Sequence, residues 1–354
     1  MDNSTQARGR FASQFRLGVS GRAPDASDTA SPPLVGVSFV VKLVLAAAML
    51  WLLLRSIDVG KVGAMLASSD LELVLASCVC LAVGVALNAL RWAKVMDGLE
   101  RPIGNRTAVV GSFEAMFFNQ ILPTGVGGDA IRTIRAYDAG ASTGFAVMGV
   151  LIDRALGVWF VAICLCIAPL IATPAMIEAP AFRVLALTAA LVVLGGVATT
   201  IVGALIKTTW LPSWAVPLCA LVQSFSQVTR TREAMTQILS ALFLSNIATI
   251  ASFALCARAL GIHTTWWDAT VILQGMTMAS ILPVSIGGWG VREGAAIVLF
   301  SSIGVGASAA AAVSILFGLV LTAIGLVGAM VWLASRYRRF GGLSAPDPSR
   351  QTVK

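Results

Sequence analysis

Ile121-Leu122-Pro123-Thr124-Gly125-Val126-Gly127-Gly128-Asp129-Ala130-Ile131-Arg132 is written out a second time as Ile281-Leu282-Pro283-Val284-Ser285-Ile286-Gly287-Gly288-Trp289-Gly290-Val291-Arg292. The offset is 160 residues, 281 less 121, without a gap. Ile, Leu, Pro, the Gly pair and Arg are identical in the two copies, and Val126/Ile286 and Ile131/Val291 are near matches. Each copy closes an apolar run, breaks at proline and glycine, and restarts near an arginine.

The surroundings of the two copies set the class. Hydrophobic residues make up 57% of the chain and charged residues 12%, with a mean hydropathy of +0.86. Several apolar runs reach the length of about 20 residues that crosses a hydrocarbon core. The chain therefore reads as a polytopic membrane protein. Its backbone must satisfy its own hydrogen bonds, so the fold class is all-α, a membrane helical bundle. A β-barrel would alternate in segments of about 10 residues, which this chain does not do.

The net charge of +8 comes from arginines placed mainly at segment ends and tails. That is a topology signal, and no nucleic-acid partner is expected. Cys78, Cys80, Cys164, Cys166, Cys219 and Cys256 lie in or beside apolar runs, without CxxC or Cys/His spacing. They read as small core residues, and no metal site is expected. His263, the one histidine, sits in a short connection. No nucleotide-binding motif is present, and no cofactor is expected.

Residues 1–33 read as a disordered cytoplasmic tail, 34–335 as the membrane domain and 336–354 as a second cytoplasmic tail. Six full spans are expected: Leu34–Leu54, Leu71–Leu90, Gly144–Ala172, Phe182–Ile206, Thr236–Leu260 and Val305–Ser335. Basic flanks occur in the N-terminal tail, at 91–106, 132–135, 207–232 and 336–339. If all are cytoplasmic, 107–135 enters and leaves on one side as a re-entrant hairpin with the first motif at its tip. The segment 269–303 then makes a second hairpin from the opposite face. The result is six spans plus two broken-helix hairpins in an internal inverted repeat. The alternative is eight spans, with 107–122 and 269–282 crossing outright.

The motif chemistry points to an anion. Irregular backbone at membrane depth needs protein or a water-filled cavity around it. The pairs Gly127/Gly128 and Gly287/Gly288 permit positive φ and close backbone approach. The helix that follows each break presents unpaired N–H groups and a partial positive charge. Arg132 and Arg292 add donors matched to phosphate. Asp129 reads as an N-cap. Asp153 and Arg154 lie inside an apolar span, where each costs roughly 2.5–3.5 kcal/mol at mid-helix. Each needs a partner or a cavity, and Glu114, Asn119, Gln120 and Glu293 are the candidates. The expected substrate-binding set is Arg132, Arg154, Arg292, Gly127, Gly128, Gly287, Gly288, Asp153, Glu293 and Asn119. No catalytic residue is assigned.

The break with its glycine pair and arginine, the run Leu151–Gly157 (LIDRALG) and the late Leu282–Gly294 (LPVSIGGWGVREG) resemble the transmembrane domain of lysylphosphatidylglycerol synthases. That domain also occurs alone in flippase-like membrane proteins. The resemblance covers roughly residues 34–335. It implies a lipid-translocating bundle in a bacterial-type plasma membrane, with both termini cytoplasmic. It does not extend to the soluble lysyl-transferase domain of the full synthases, so that activity is not carried over. Many members carry a charge near the position of Phe317, where this chain has phenylalanine.

The function expected is a lipid flippase or lipid-binding transporter for an anionic or lipid-linked headgroup: a phospholipid, a polyprenyl phosphate or a hopanoid-type lipid. The alternative is a membrane-embedded transferase or an accessory subunit of a lipid or glycolipid synthase. The partners expected are membrane lipids, with a glycosyltransferase or lipid synthase as the candidate protein partner.

Overall fold

The structure, a computed structural model, describes residues 55, 57–122, 127–205, 223–225, 228, 231–281 and 290–341. The tail 1–33, the expected span Leu34–Leu54 and the motif interiors 123–126 and 282–289 lie outside them. The described residues form helices and connections, with no strand among them.

In chain order the helices are α1 (Val59–Ala67), α2 (Leu71–Gly98), α3 (Asn105–Ile121), α4 (Gly127–Asp138), α5 (Thr143–Ile167) and α6 (Pro174–Glu178). They continue as α7 (Pro180–Leu205), α8 (Arg232–Ala259), α9 (Trp266–Ser280), α10 (Val291–Ser301) and α11 (Ala307–Gly341). Five helical stretches, Leu71–Gly98, Thr143–Leu170, Pro180–Ala198, Arg232–Ala259 and Ala307–Ser335, are long and apolar enough to cross a membrane. They correspond to the five expected spans that fall within the described residues. The chain is a multi-pass, all-α membrane protein.

Helix starts follow local chemistry. Asp70 accepts from the N–H groups of Glu72 and Leu73 at the head of α2. Thr231 accepts from Ala234 at the head of α8, and Thr265 from Asp268 at the head of α9. Each side-chain oxygen satisfies an amide that the first helical turn leaves unpaired. One end departs from expectation. α2 runs on past Leu90 to Gly98, because Arg91 is not a solvated flank. Arg91, Trp92, Ala93, Val95 and Met96 are all buried, so the packed face continues through the charge.

The repeat extends well beyond the motif. α2, α3, α4 and α5 in the first half correspond in order and approximate position to α8, α9, α10 and α11 in the second, close to the 160-residue offset. Their packing corresponds too: α3 packs on α4 as α9 does on α10, and α4 on α5 as α10 does on α11. α3 packs on α11, and its counterpart α9 packs on α5.

α2 and α8 pack on each other along their length and run antiparallel. Asp70 N–H donates to the Ala259 carbonyl at 3.0 Å. Further along, Ser77 Oγ meets Ser252 Oγ at 2.8 Å and Cys256 Sγ at 3.1 Å. Beyond that, a Cβ on Gly84 would meet Thr249 Oγ1 at 3.0 Å and the Ser245 carbonyl at 3.2 Å. Small and hydroxyl-bearing residues let helices approach closely where no water drives them together.

Each motif joins two short helices. α3 and α4 form an antiparallel hairpin, with Gly128 against Asn119 and Ala115, and Gly111 against Arg135. α9 and α10 pack on each other, with Gly275 against Leu299. At about 1.5 Å per residue, helices of 17, 12, 15 and 11 residues each fall short of a hydrocarbon core of about 30 Å.

Candidate functional site: an arginine cluster beside the first hairpin

Asp153, on α5, is 1% exposed and holds two guanidinium groups. Arg91 Nε donates to its Oδ1 at 2.7 Å, and Arg132 Nη2 donates to its Oδ2 at 2.7 Å. Arg91 comes from α2 and Arg132 from α4, so this single carboxylate ties three helices together. Arg91 Nη2 also donates to Asn88 Oδ1 at 2.9 Å and to the Asp153 carbonyl at 3.3 Å. Asn88 thus supports Arg91 from the same helix, one turn away. The Arg132 guanidinium lies over the Trp92 ring, 4.4 Å from the centroid, a favourable stacking for this cation. Arg132 Nε and Trp92 Nε1 are both buried and make no hydrogen bond.

Next to this triad, Arg154 pairs with Asp129. Neighbouring residues on a helix point about 100° apart, and Asp153 and Arg154 accordingly find different partners. Asp129, expected as an N-cap, is instead tied by its side chain to α5. Arg154 is nearly half exposed, at 47% of its side chain, whereas the triad is closed off.

The glycine pair has a packing reason. A Cβ on Gly127 would sit 2.6–2.8 Å from Leu122 side-chain atoms and the Phe118 carbonyl. One on Gly128 would sit 2.6–2.7 Å from the Asn119 amide and the Ala115 carbonyl. The glycines allow α4 to turn back against α3. The Gly128 N–H is already bonded, to Asn119 Oδ1 at 2.8 Å, so Asn119 closes the hairpin.

Glu114 and Arg135 form a second buried pair across the same hairpin, with Arg135 Nε donating to Glu114 Oε2 at 2.7 Å. Ser335, from α11, is within 2.9 Å of Arg135 Nη2 and 3.3 Å of Glu114 Oε1. Arg91, Arg132 and Arg135 are thus engaged with buried carboxylates, and the count of cytoplasmic arginines loses all three.

The second motif is arranged differently. Glu293 Oε1 accepts from Arg292 Nη2 at 2.7 Å and Nε at 3.0 Å. Ser314 on α11 lies 3.3 Å from Arg292 Nε and 3.1 Å from Glu293 Oε1. Glu293 Oε2 accepts from the N–H of Gly290, which takes φ +90. Gly287 and Gly288 lie outside the described residues. Phe317 is buried and stacks edge-on against Phe253, with centroids 5.4 Å apart.

Arg91 was missed as a site residue because it opens a run of basic residues that reads as a flank. Asp153, a carboxylate with no visible partner, was the signal that could have found it.

The family model described as lysylphosphatidylglycerol synthase TM region matches residues 39–329. The chain belongs to this family. That match takes in both motifs, the arginine cluster and the packed helices as far as residue 329 of α11. Membership of the lysylphosphatidylglycerol synthase TM family makes this a lipid-related membrane protein. Comparison with curated proteins gave no match.

Proposed function

We propose that the protein carries an anionic lipid headgroup across the bilayer, the lipid tails remaining in the hydrocarbon. The observation that carries this reading is Arg132, a residue 9% exposed that shares the Asp153 carboxylate with Arg91 and keeps a buried donor unused. A membrane-embedded cation of this kind is costly to maintain and marks a substrate or ion path more often than a structural bond.

Helix geometry supports transport. α2 and α8 are counterparts in the repeat and run antiparallel; a two-fold relating such membrane-crossing helices lies in the membrane plane. That is the symmetry of transporters whose halves rock about a central site. Of the four hairpin helices α4, α9 and α10 are too short to cross and α3 is at the lower limit, which favours two re-entrant hairpins over eight spans. In this reading the first hairpin, with Gly127, Gly128 and Asn119 closing it, sets Arg132 against Asp153, and Asp129 and Arg154 line the open side. The setting is a bacterial-type plasma membrane with both termini cytoplasmic. A glycosyltransferase or lipid synthase would supply or consume the carried lipid.

The test is translocation of fluorescent phosphatidylglycerol in proteoliposomes, read by dithionite quenching. In protein-free vesicles only the outer half of the label is quenched rapidly. Vesicles carrying the protein should lose nearly all of it. Absence of any added quenching, across phosphatidylglycerol, phosphatidic acid and polyprenyl-phosphate probes, would refute transport.

A further inference from the structure

The two halves share a backbone plan but not a charge plan. The 160-residue offset carries Arg132 to Arg292, but Arg91 to Ala251, Asp129 to Trp289, Asp153 to Val313 and Arg154 to Ser314. The Glu114–Arg135 pair falls on Gln274 and Ala295, so of the seven charges gathered at the first hairpin only Arg132 has a charged counterpart. That counterpart, Arg292, is held by the adjacent Glu293, with Ser314 completing the contact. The second motif is therefore neutral by itself.

The first cluster is not. Arg91 and Arg132 share one carboxylate, one oxygen each, so the triad carries one positive charge in excess. Residues 123–126 and 282–289, which complete the two motifs, include no aspartate or glutamate. Breaking even in a poorly solvated site requires a counter-charge, since an uncompensated buried ion costs several kcal/mol. The unused donors, Arg132 Nε and Trp92 Nε1, call for an acceptor rich in lone pairs, and an oxyanion is the acceptor that also brings the missing charge.

We infer that the protein has one headgroup site, in the first half, and that it is matched to a phosphodiester monoanion and not to a phosphomonoester or pyrophosphate bearing two or more charges. Arg292 with Glu293 is the structural counterpart that keeps the repeat packed without binding lipid. This inference rests on the transport reading for the site's location but concerns its number and valence.

The experiment uses the full chain, purified and delipidated in a neutral detergent, with bound lipid counted by native mass spectrometry at pH 8. The probes are dihexanoyl-phosphatidylglycerol, dihexanoyl-phosphatidic acid, dihexanoyl-phosphatidylcholine and the tail-less headgroup glycerophosphoglycerol. One phosphatidylglycerol per chain is expected, binding at least tenfold more tightly than the zwitterionic phosphatidylcholine and the dianionic phosphatidic acid. Glycerophosphoglycerol binding as tightly as its lipid would mean that the site takes a soluble phosphodiester and overturn the lipid assignment.

Arg132→Gln should lose the tenfold preference, while the double variant R292Q/E293Q should stay within twofold of wild type. Two equivalent lipids per chain, tighter binding of phosphatidic acid, or equal binding of phosphatidylcholine would each overturn the inference using wild-type protein alone. One-to-one phosphatidylglycerol binding without translocation in vesicles would sink the transport reading and leave this one standing.

Discussion

Replacing Asp153 by asparagine removes the one carboxylate that two buried guanidinium groups share. The side chains of Arg91 and Arg132 are 5% and 11% exposed, so neither can turn to water without unpacking Trp92 or α5. A unit-charge pair at 4 Å is worth roughly 4 kcal/mol at an effective dielectric near 20, and both pairs here are in direct contact. Removing one partner of a buried pair costs about 3–5 kcal/mol, because the remaining charge is left uncompensated. Asparagine keeps one carbonyl oxygen that can accept from a single arginine, so the expected loss is about 3 kcal/mol, at the lower end of that range. Equilibrium unfolding in mixed micelles with rising dodecyl sulfate, followed by tryptophan fluorescence, measures it directly. A second change, Arg91→Met in the Asp153→Asn background, removes one orphaned charge and should recover more than 1 kcal/mol of that loss. A loss below about 1 kcal/mol for Asp153→Asn, or no recovery in the double variant, would show that the triad is solvated and that its charge excess drives nothing.

Other outcomes follow from the same geometry. Gly128→Val should separate α3 from α4 and cost about 1–3 kcal/mol or more through overpacking; a thermal-shift assay in detergent would register it, and Gly63→Val, where nothing lies within 4 Å, is the matched control. Gly328→Leu on α11 should fail similarly, because a Cβ there would run into the Phe113 carbonyl of α3. Glu114→Ala and Arg135→Ala should each destabilise, and the double variant should fall well short of their sum, with a coupling of about 0.5–3 kcal/mol for residues in direct contact. Asp129→Asn should leave stability within about 1 kcal/mol, as expected for a partly exposed pair, while slowing translocation if Arg154 guides the headgroup; unchanged translocation would remove Arg154 from the path.

Much of the bundle was legible because apolar runs state their own lengths. The five described spans begin and end within a turn or two of where charge and proline interrupt the runs, except at Arg91. The exception is instructive. A basic residue at the end of an apolar run is read as a flank, and only a partner far away in sequence, here Asp153, makes it interior. The same applies to Arg132 and Arg135, whose carboxylates come from α5 and α3. Asp153 stands out in the sequence because an acid in mid-span demands a cation, but spacing does not say which of several arginines reaches it. The motif repeat was visible letter by letter, whereas the loss of charge in its second copy needed the pairing of Arg292 with Glu293 to acquire meaning. The glycine pair, read for its freedom of φ, is required at Gly127 and Gly128 for contact with Leu122, Asn119 and the α3 carbonyls.

The crossed packing of α3 on α11 and of α9 on α5 has a consequence for biosynthesis. The first hairpin leaves the ribosome 200 residues or more before the face that covers it, where Phe118 stacks on Trp332 with centroids 5.6 Å apart and Ser335 reaches the Glu114–Arg135 pair. Until α11 is inserted, that pair lacks its last ligand and α3 lacks its neighbour. Neither half can finish folding from its own helices, so the nascent first half must wait in the bilayer, shielded by lipid or by the insertion machinery, for the final helix to lock it shut.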